Sequence, residues 1–224
     1  MKVTVVIPTY WGRPQGHLPQ PGDAAYGHPT PLDGHSTLPR LLDSLAAQDA
    51  PGFNVLVLTA AVSPRLEGAA EARVAEIIVP YLTALSIAQF AASDLWMLQQ
   101  RVAAAGFDPN LVSLRGYAND RNIQLIIPHV LGSEAIVALD DDELVARGYV
   151  RQAASHVGHQ RQGHTIWGVA GLYLDGAGAW ALPEGKATGN ILLGKASVMN
   201  LAARRLIERA APSALVRSPL AYGG

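Results

Sequence analysis

Two near-continuous apolar runs, Val3-Thr4-Val5-Val6-Ile7 and Asn54-Val55-Leu56-Val57-Leu58, most constrain what this chain can fold into. Each has strand length and many β-branched residues. Pro8-Thr9-Tyr10 is expected to end the first, and Pro51-Gly52 sets off the second. A strand with one wet face alternates apolar and polar residues, whereas a strand covered on both faces reads as an unbroken apolar run. Between the two runs, Leu38, Leu41, Leu42 and Leu45 recur at i, i+3, i+4 and i+7, the stripe of a helix that buries one face. Ser36 is placed to cap that helix. A covered strand, a helix and a second covered strand predict a parallel sheet with right-handed crossovers. The expected class is α/β: a single domain over residues 1–224, with a mostly parallel central sheet and helices on both faces.

Further elements follow from the same periodicities. Helices are expected over Glu67–Glu76, up to Gly106 with Leu95, Leu98 and Val102 on one face, and from Asn119 to Leu131 with Ile123, Ile126, Ile127 and Val130 inward. Pro128 should kink or stop the last of these. A short strand or helix is expected near Ile77–Val79, a strand over Leu111–Leu114 and a helix over Leu144–Val157. Near the end, Thr165–Leu174 is strand-like, Gly176-Ala177-Gly178 reads as a hairpin turn, and Ala196–Arg209 reads as a helix. The stretch from Trp11 to His35 is rich in Pro, Gly and His and has no periodicity, and loops of that length are usually functional or disordered.

One apolar run ends abruptly in charge. Ala135-Ile136-Val137-Ala138-Leu139 follows the turn signal Gly132-Ser133 and meets Asp140-Asp141-Asp142-Glu143. Four consecutive acids repel one another unless something positive stands among them. In open α/β sheets, ligands bind outside the carboxyl ends of strands. A divalent cation carrying phosphates satisfies both conditions, since hard cations take carboxylate oxygens and complete their shell with substrate phosphates.

Composition excludes several classes. A net charge of -1 argues against a nucleic-acid partner held mainly through its phosphates. The chain has no cysteine, so it has no disulfide, thiolate metal site or cysteine nucleophile. The apolar stretch Ile77–Ala92 is interrupted by Pro80, Thr83, Ser86 and Gln89, which is too short and polar for a membrane span. The amino terminus lacks a cleavable-leader pattern. A cytoplasmic location is expected, with peripheral membrane contact left open. His17, His28 and His35, and His156, His159 and His164, are not spaced as a helical zinc pair, and no P-loop, GxGxxG dinucleotide fingerprint or GxSxG nucleophile elbow is present.

Several segments together resemble the family 2 glycosyltransferases of the GT-A fold. Val3-Thr4-Val5-Val6-Ile7-Pro8-Thr9-Tyr10 is similar to the family's opening strand, and Leu38-Pro39-Arg40-Leu41-Leu42-Asp43-Ser44-Leu45 to its first helix. Gly116-Tyr117-Ala118-Asn119-Asp120-Arg121-Asn122-Ile123 resembles its Arg-Asn segment, and Leu139-Asp140-Asp141-Asp142-Glu143 its DxD motif. The resemblance implies transfer of a sugar from a UDP- or GDP-linked donor to an acceptor hydroxyl. It implies that Pro8, Thr9 and Tyr10 line the base and ribose and that Arg121 lies beside the base or phosphates. Asp140 and Asp141 would be among the donor-binding residues, with Asp140 approaching the ribose or the metal, and Asp142 with Asp140 would ligate Mg²⁺ or Mn²⁺. Three departures accompany it. The second strand ends in Thr59-Ala60-Ala61, where the family often has a base-reading acid. The first connection is unusually long. The chain stops at Ala221-Tyr222-Gly223-Gly224, where inverting members continue into a Glu-Asp pair, so a carboxyl-terminal truncation or a different mechanism is expected. No catalytic base is named, although Asp175 and Glu184 are conceivable substitutes. The alternative is a nucleotide-sugar-binding module that is inactive without further residues or a partner.

Overall fold

The computed structural model describes residues 1–49, 52–161 and 163–171. The chain divides into two compact units, Met1–Thr165 and Ile166–Gly224. In the second, the described residues 166–171 form neither helix nor strand. The hairpin expected at Gly176-Ala177-Gly178, the helix at Ala196–Arg209, and both Asp175 and Glu184 lie outside the described residues.

The first unit is an α/β sandwich. Its strands are β1 (Val3–Gly12), β2 (Thr30–Pro31), β3 (Asn54–Ala61), β4 (Ser86–Phe90) and β5 (Ala135–Ala138). All the pairings in this sheet are parallel, in the order β4-β3-β1-β5, with the short β2 beside the end of β1 at Trp11 and Gly12. The helices are α1 (Leu38–Ala46), α2 (Glu67–Ile78), α3 (Ala92–Ala104), α4 (Tyr117–Val130) and α5 (Tyr149–Ala154). A separate antiparallel pair, β6 (Gln160–Arg161) and β7 (His164–Thr165), follows α5.

Successive β1 side chains go to opposite faces. Val5, Ile7 and Trp11 meet α1, α2 and α5 through Leu38, Leu42, Val74 and Val150. On the other face, Val6 meets Ile123 and Ile127 of α4, with Leu95 and Leu98 of α3 beside them. Helices therefore cover both faces, as expected. The α1 stripe is the clearest case, since Leu38, Leu41, Leu42 and Leu45 are all buried. At about 1.5–3 kcal/mol each, their burial contributes at most roughly 6–12 kcal/mol. The cap position falls on Thr37, whose side chain makes no capping bond, instead of on Ser36; the Ser36 hydroxyl, one residue earlier, accepts the Leu38 N–H at 3.2 Å.

Several boundaries differ from expectation for local reasons. Strand β1 does not stop at Pro8 but runs to Gly12. The Val6 carbonyl accepts from Leu139 N–H on the β5 side. By alternation, the N–H that Pro8 lacks would also point to that side, where β5 has already ended. Proline costs a strand nothing where no neighbour needs its donor. Strand β3 likewise runs on to Ala61. Helix α2 continues through Ile77–Ile78 into a 3₁₀ turn, Val79–Tyr81, and the next strand comes later, as β4. Val112 and Leu114 are buried as their alternation implied, but the segment has no strand partner and begins in a 3₁₀ turn, Pro109–Leu111. Helix α4 starts at Tyr117 and carries Pro128 to within one turn of its end at Val130, which is exposed instead of inward. Helix α5 is shorter than Leu144–Val157, and the residues before Tyr149 are held by Ser44 of α1, which accepts the Val145 N–H at 3.4 Å, and by Gln48 just after it. Gln48 donates to the Ala146 carbonyl at 2.8 Å and accepts the Val150 N–H at 3.2 Å.

Candidate functional site

From β1 the chain moves outward to β3 and then β4, and afterwards returns to place β5 on the opposite side of β1. The direction of winding reverses between β1 and β5. The helix that leaves β1 (α1) and the helix that leads into β5 (α4) lie on opposite faces, and at such a reversal ligands bind outside the carboxyl ends. The described residues that reach this edge are the end of β1 with Tyr10, the first turns of α4, and the acidic turn after β5.

Arg121 and Asp140, nineteen positions apart in sequence, meet here. The Arg121 guanidinium donates through Nη2 to Asp140 Oδ1 at 3.2 Å and through Nη1 to Gln124 Oε1 at 3.1 Å. Gln124 is itself buried on the sheet side of α4. The pair is a little over one-third exposed (37% and 38%), so its planar fork remains accessible to a ligand. Asp140 also donates its backbone N–H to the Glu143 carboxylate at 3.1 Å, which closes the acidic run into a turn. Asp142 is exposed. Burial pushes the Asp141 carboxyl up to about 7, reinforced by the charges of Asp142 and Asp140. Burial, more than repulsion among the acids, therefore sets Asp141 apart in the run.

Pro8, Thr9 and Tyr10 are not equivalent. Thr9 is fully buried, donates its hydroxyl to the Leu58 carbonyl at 3.0 Å and accepts Trp11 Nε1 at 3.1 Å. It fastens β1 to β3 and turns no side chain toward the edge. Pro8 is buried in the strand. Tyr10 is the member that reaches the edge, where it is only partly buried.

Tyr10 belongs to a cluster that sequence reasoning missed. Tyr26, from the long first connection, stacks on it with ring centroids 4.5 Å apart and an interplanar angle of 26°. Tyr117 from α4 meets both rings edge-on, at 5.2 Å and 5.4 Å. Beneath them lies Asp120, 1% exposed, with neither carboxylate oxygen in a hydrogen bond of acceptable geometry. The Tyr26 hydroxyl stands close to this carboxyl but gives its proton to the Leu114 carbonyl at 3.0 Å. Burial raises the Asp120 carboxyl to about 7, against the lowering influence of the Tyr26 hydroxyl and the Arg121 charge. The buried Tyr10 Oη also has no partner. Burial, and next the nearby Asp120, raise the Tyr10 hydroxyl as well. Tyr26 sits in a stretch without periodicity and gave no signal. Asp120 could have been found, because it shares the i, i+3, i+7 stripe of Ile123 and Ile127, and an acid on a buried stripe is unusual.

The long connection is built, not loose. Arg13 holds Asp23 through two hydrogen bonds, at 2.9 and 2.8 Å, and the Gln20 N–H adds a third at 2.8 Å. Arg13, and then the Gln20 N–H, hold the Asp23 carboxyl below the usual carboxylate range. Ala24 N–H donates to the Val62 carbonyl at 2.7 Å, and Arg115 donates to the Gly22 carbonyl at 2.7 Å. Glu67, at the start of α2, has its carboxyl raised by burial and lowered in part by Arg115.

The resemblance implies a divalent cation, and the acids present can be tested for one. Among the described residues, no group of three or more His, Cys, Asp or Glu is placed to hold a metal ion. A cation here would therefore have at most two carboxylates from the described residues. That suits Mg²⁺ or Mn²⁺, which keep waters and bind through one or two carboxylates together with substrate phosphates. Among the described residues, no helix is long and apolar enough to cross a membrane.

No family model matches the sequence, and no curated protein matches it. Solved structures similar to the chain include S. aureus TarS, at 18% identity and a TM-score of 0.33, covering 70% of this chain and 19% of that one. A structure of S. aureus TarS 1-349 is similar at 17% identity and a TM-score of 0.32, covering 70% of this chain and 32% of that one. This chain thus spans well under half the length of these relatives, and a likeness of this size assigns neither a family nor an activity.

Proposed function

We propose that the carboxyl edge between β1 and β5 binds a nucleotide diphosphate sugar, in the manner of a GT-A glycosyltransferase, and passes the sugar to an acceptor hydroxyl. One observation carries this reading: the Arg121 fork, Tyr10 and the Asp140-Asp141-Asp142 turn converge at the point where the sheet reverses its winding. An aromatic ring suits a base, a partly exposed guanidinium suits a phosphate, and a cluster of acids suits a cation that bridges to phosphates. Asp140 and Asp142 are the residues that would hold Mg²⁺ or Mn²⁺. A bound divalent ion supplies Lewis-acid stabilisation of the charge that develops on the departing diphosphate. Gln124 and Asp140 hold the Arg121 guanidinium in a fixed plane, so it adds a preorganised positive charge beside the same leaving group. A base that would take the acceptor proton is assigned to no described residue. A nucleotide-sugar-binding module would use the same donor contacts without that base, so the two readings separate on turnover.

The test is a thermal-stability panel with UDP, GDP, ADP and CDP, with and without Mn²⁺, followed by donor hydrolysis and transfer assays. Binding RT ln(1 + [L]/Kd) stabilises the folded state, so a nucleotide at a hundred times its Kd adds about 2.7 kcal/mol. UDP or GDP should stabilise the chain more with Mn²⁺ than without it, and Asp142→Ala should remove that difference. Undiminished cation-dependent stabilisation in Asp142→Ala would overturn the cation assignment. Tight UDP binding without turnover would favour the binding module.

A further inference from the structure

We propose that residues 24–27 form a gate over the nucleotide edge, one that closes on neutral Asp120 and lifts when that carboxyl carries charge. The inference concerns regulation of the site described above, and it rests on that reading only for what the gate covers. Tyr26 occupies one face of the Tyr10 ring, the surface a planar base would need for stacking. Closure is held by specific bonds. The Tyr26 hydroxyl donates to the Leu114 carbonyl and accepts the Gly116 N–H, each at 3.0 Å. The Gly27 N–H donates to the Tyr117 hydroxyl. A Cβ at position 27 would stand 3.0 Å from that same hydroxyl oxygen, so glycine lets the backbone approach. Gly116 has φ +87, in the left-handed region that favours glycine, which sets its N–H toward Tyr26 at the start of α4.

The closed gate leaves two buried polar groups unsatisfied, the Asp120 carboxyl and Tyr10 Oη. Buried polar groups without partners are rare and call for an explanation, and a buried charge costs far more than a buried neutral acid. The groups around Asp120 do not neutralise it. Tyr10 faces it from β1 and Tyr26 from the first connection, both uncharged, and the nearby Tyr26 hydroxyl only partly offsets the cost of burying the ionised carboxyl. Arg121 is the cation nearby on α4, but its hydrogen bonds go to Asp140 and Gln124 and its charge only partly offsets the burial of Asp120. Arg115, before α4, acts on Tyr26 and donates to Gly22, while Asp140 adds further negative potential at Tyr10. Lifting residues 24–27 would admit water to the carboxyl and free the Tyr10 face together. Asp120 binds its proton more tightly under the gate than in water, where its carboxyl would titrate near 3.8. The closed form is therefore favoured at acid pH and loses ground as pH rises from that value toward about 7, by up to about tenfold per pH unit.

Amide hydrogen exchange on the whole chain tests this, with protection at Gly27 and Gly116 followed from pH 5 to pH 8 after correction for the intrinsic pH dependence of exchange. Wild-type protection should fall as pH rises and level off above neutrality, whereas Asp120→Asn should stay protected throughout. Tyr26→Phe, which keeps the ring but loses both hydroxyl bonds, should lower protection even at pH 5. A flat wild-type profile, or the same decline in Asp120→Asn, would overturn the gate. UDP with Mn²⁺ provides the second arm: at pH 8 it should bind Asp120→Asn more weakly than wild type, and equal binding would show that the segment does not control the site. If UDP binds neither chain at any pH, the nucleotide reading fails, and the exchange profiles still decide the gate.

Discussion

The Asp120 carboxyl makes an unusually direct prediction about stability. Its pKa is raised by burial from 3.8 to about 7, which is about three pH units. At 1.36 kcal/mol per unit, the ionised form is penalised in the folded chain by at most about 4 kcal/mol. The sign follows from which state holds the proton. Between 3.8 and about 7, the unfolded chain has released this proton while the folded chain retains it, so stability falls as pH rises and then levels off. Below that range both states are protonated and no penalty exists. Asp120→Asn is close in shape and stays neutral, so it escapes the penalty. Urea denaturation of the two chains should give nearly equal stabilities near pH 4 and a gap in favour of the variant that grows toward pH 8. The ceiling is about 4 kcal/mol, and it shrinks to the cost of lifting residues 24–27 if that cost is smaller. A gap independent of pH, or one that favours wild type as pH rises, would refute the reasoning.

Two further substitutions probe the sheet and the edge. Leu42→Ala removes a fully buried side chain where α1 meets β1 and β3, and should lower stability by about 2–5 kcal/mol in urea denaturation with an unchanged slope. Arg121→Lys keeps the charge but loses the fork that reaches both Gln124 and Asp140; because the ion pair is more than one-third exposed, stability should change by less than about 1 kcal/mol. Calorimetric titration of the same variant should show UDP affinity reduced by about tenfold, since an ammonium cannot reproduce a bidentate contact.

The sheet was largely legible because its central strands are covered on both faces and therefore unbroken in sequence. Val3–Ile7 and Asn54–Leu58 lie within β1 and β3, and the four leucines of α1 are all buried. What escaped was decided by neighbours. Pro8 reads as a terminator unless one knows that β5 stops before reaching it. Strand β4 lies at the sheet edge, and its alternating exposed and partly buried residues end in one buried aromatic, Phe90, which gives a weak pattern. At the site, Arg121 and Asp140 were found by motif, and their pairing supports treating them as one locus. Tyr26 and Tyr117 were invisible because their partners lie on other segments, and the hydroxyl of Thr9, expected to line the base and ribose, serves the β1–β3 seam. The long first connection was recognised as unusual, but its internal bonds, Arg13 to Asp23 above all, could not be read from composition.

Backbone amide chemical-shift mapping during a UDP titration with Mn²⁺ tests the central claim most directly. At 23.6 kDa the chain is small enough for complete amide spectra. The account predicts saturable shifts concentrated on residues 10–12, 116–122 and 139–143, with Tyr10, Arg121 and Asp140 among the largest. Shifts confined to the opposite end of the sheet, around Val3, Asn54 and Ala135, or no saturable shifts with any nucleotide diphosphate, would contradict it.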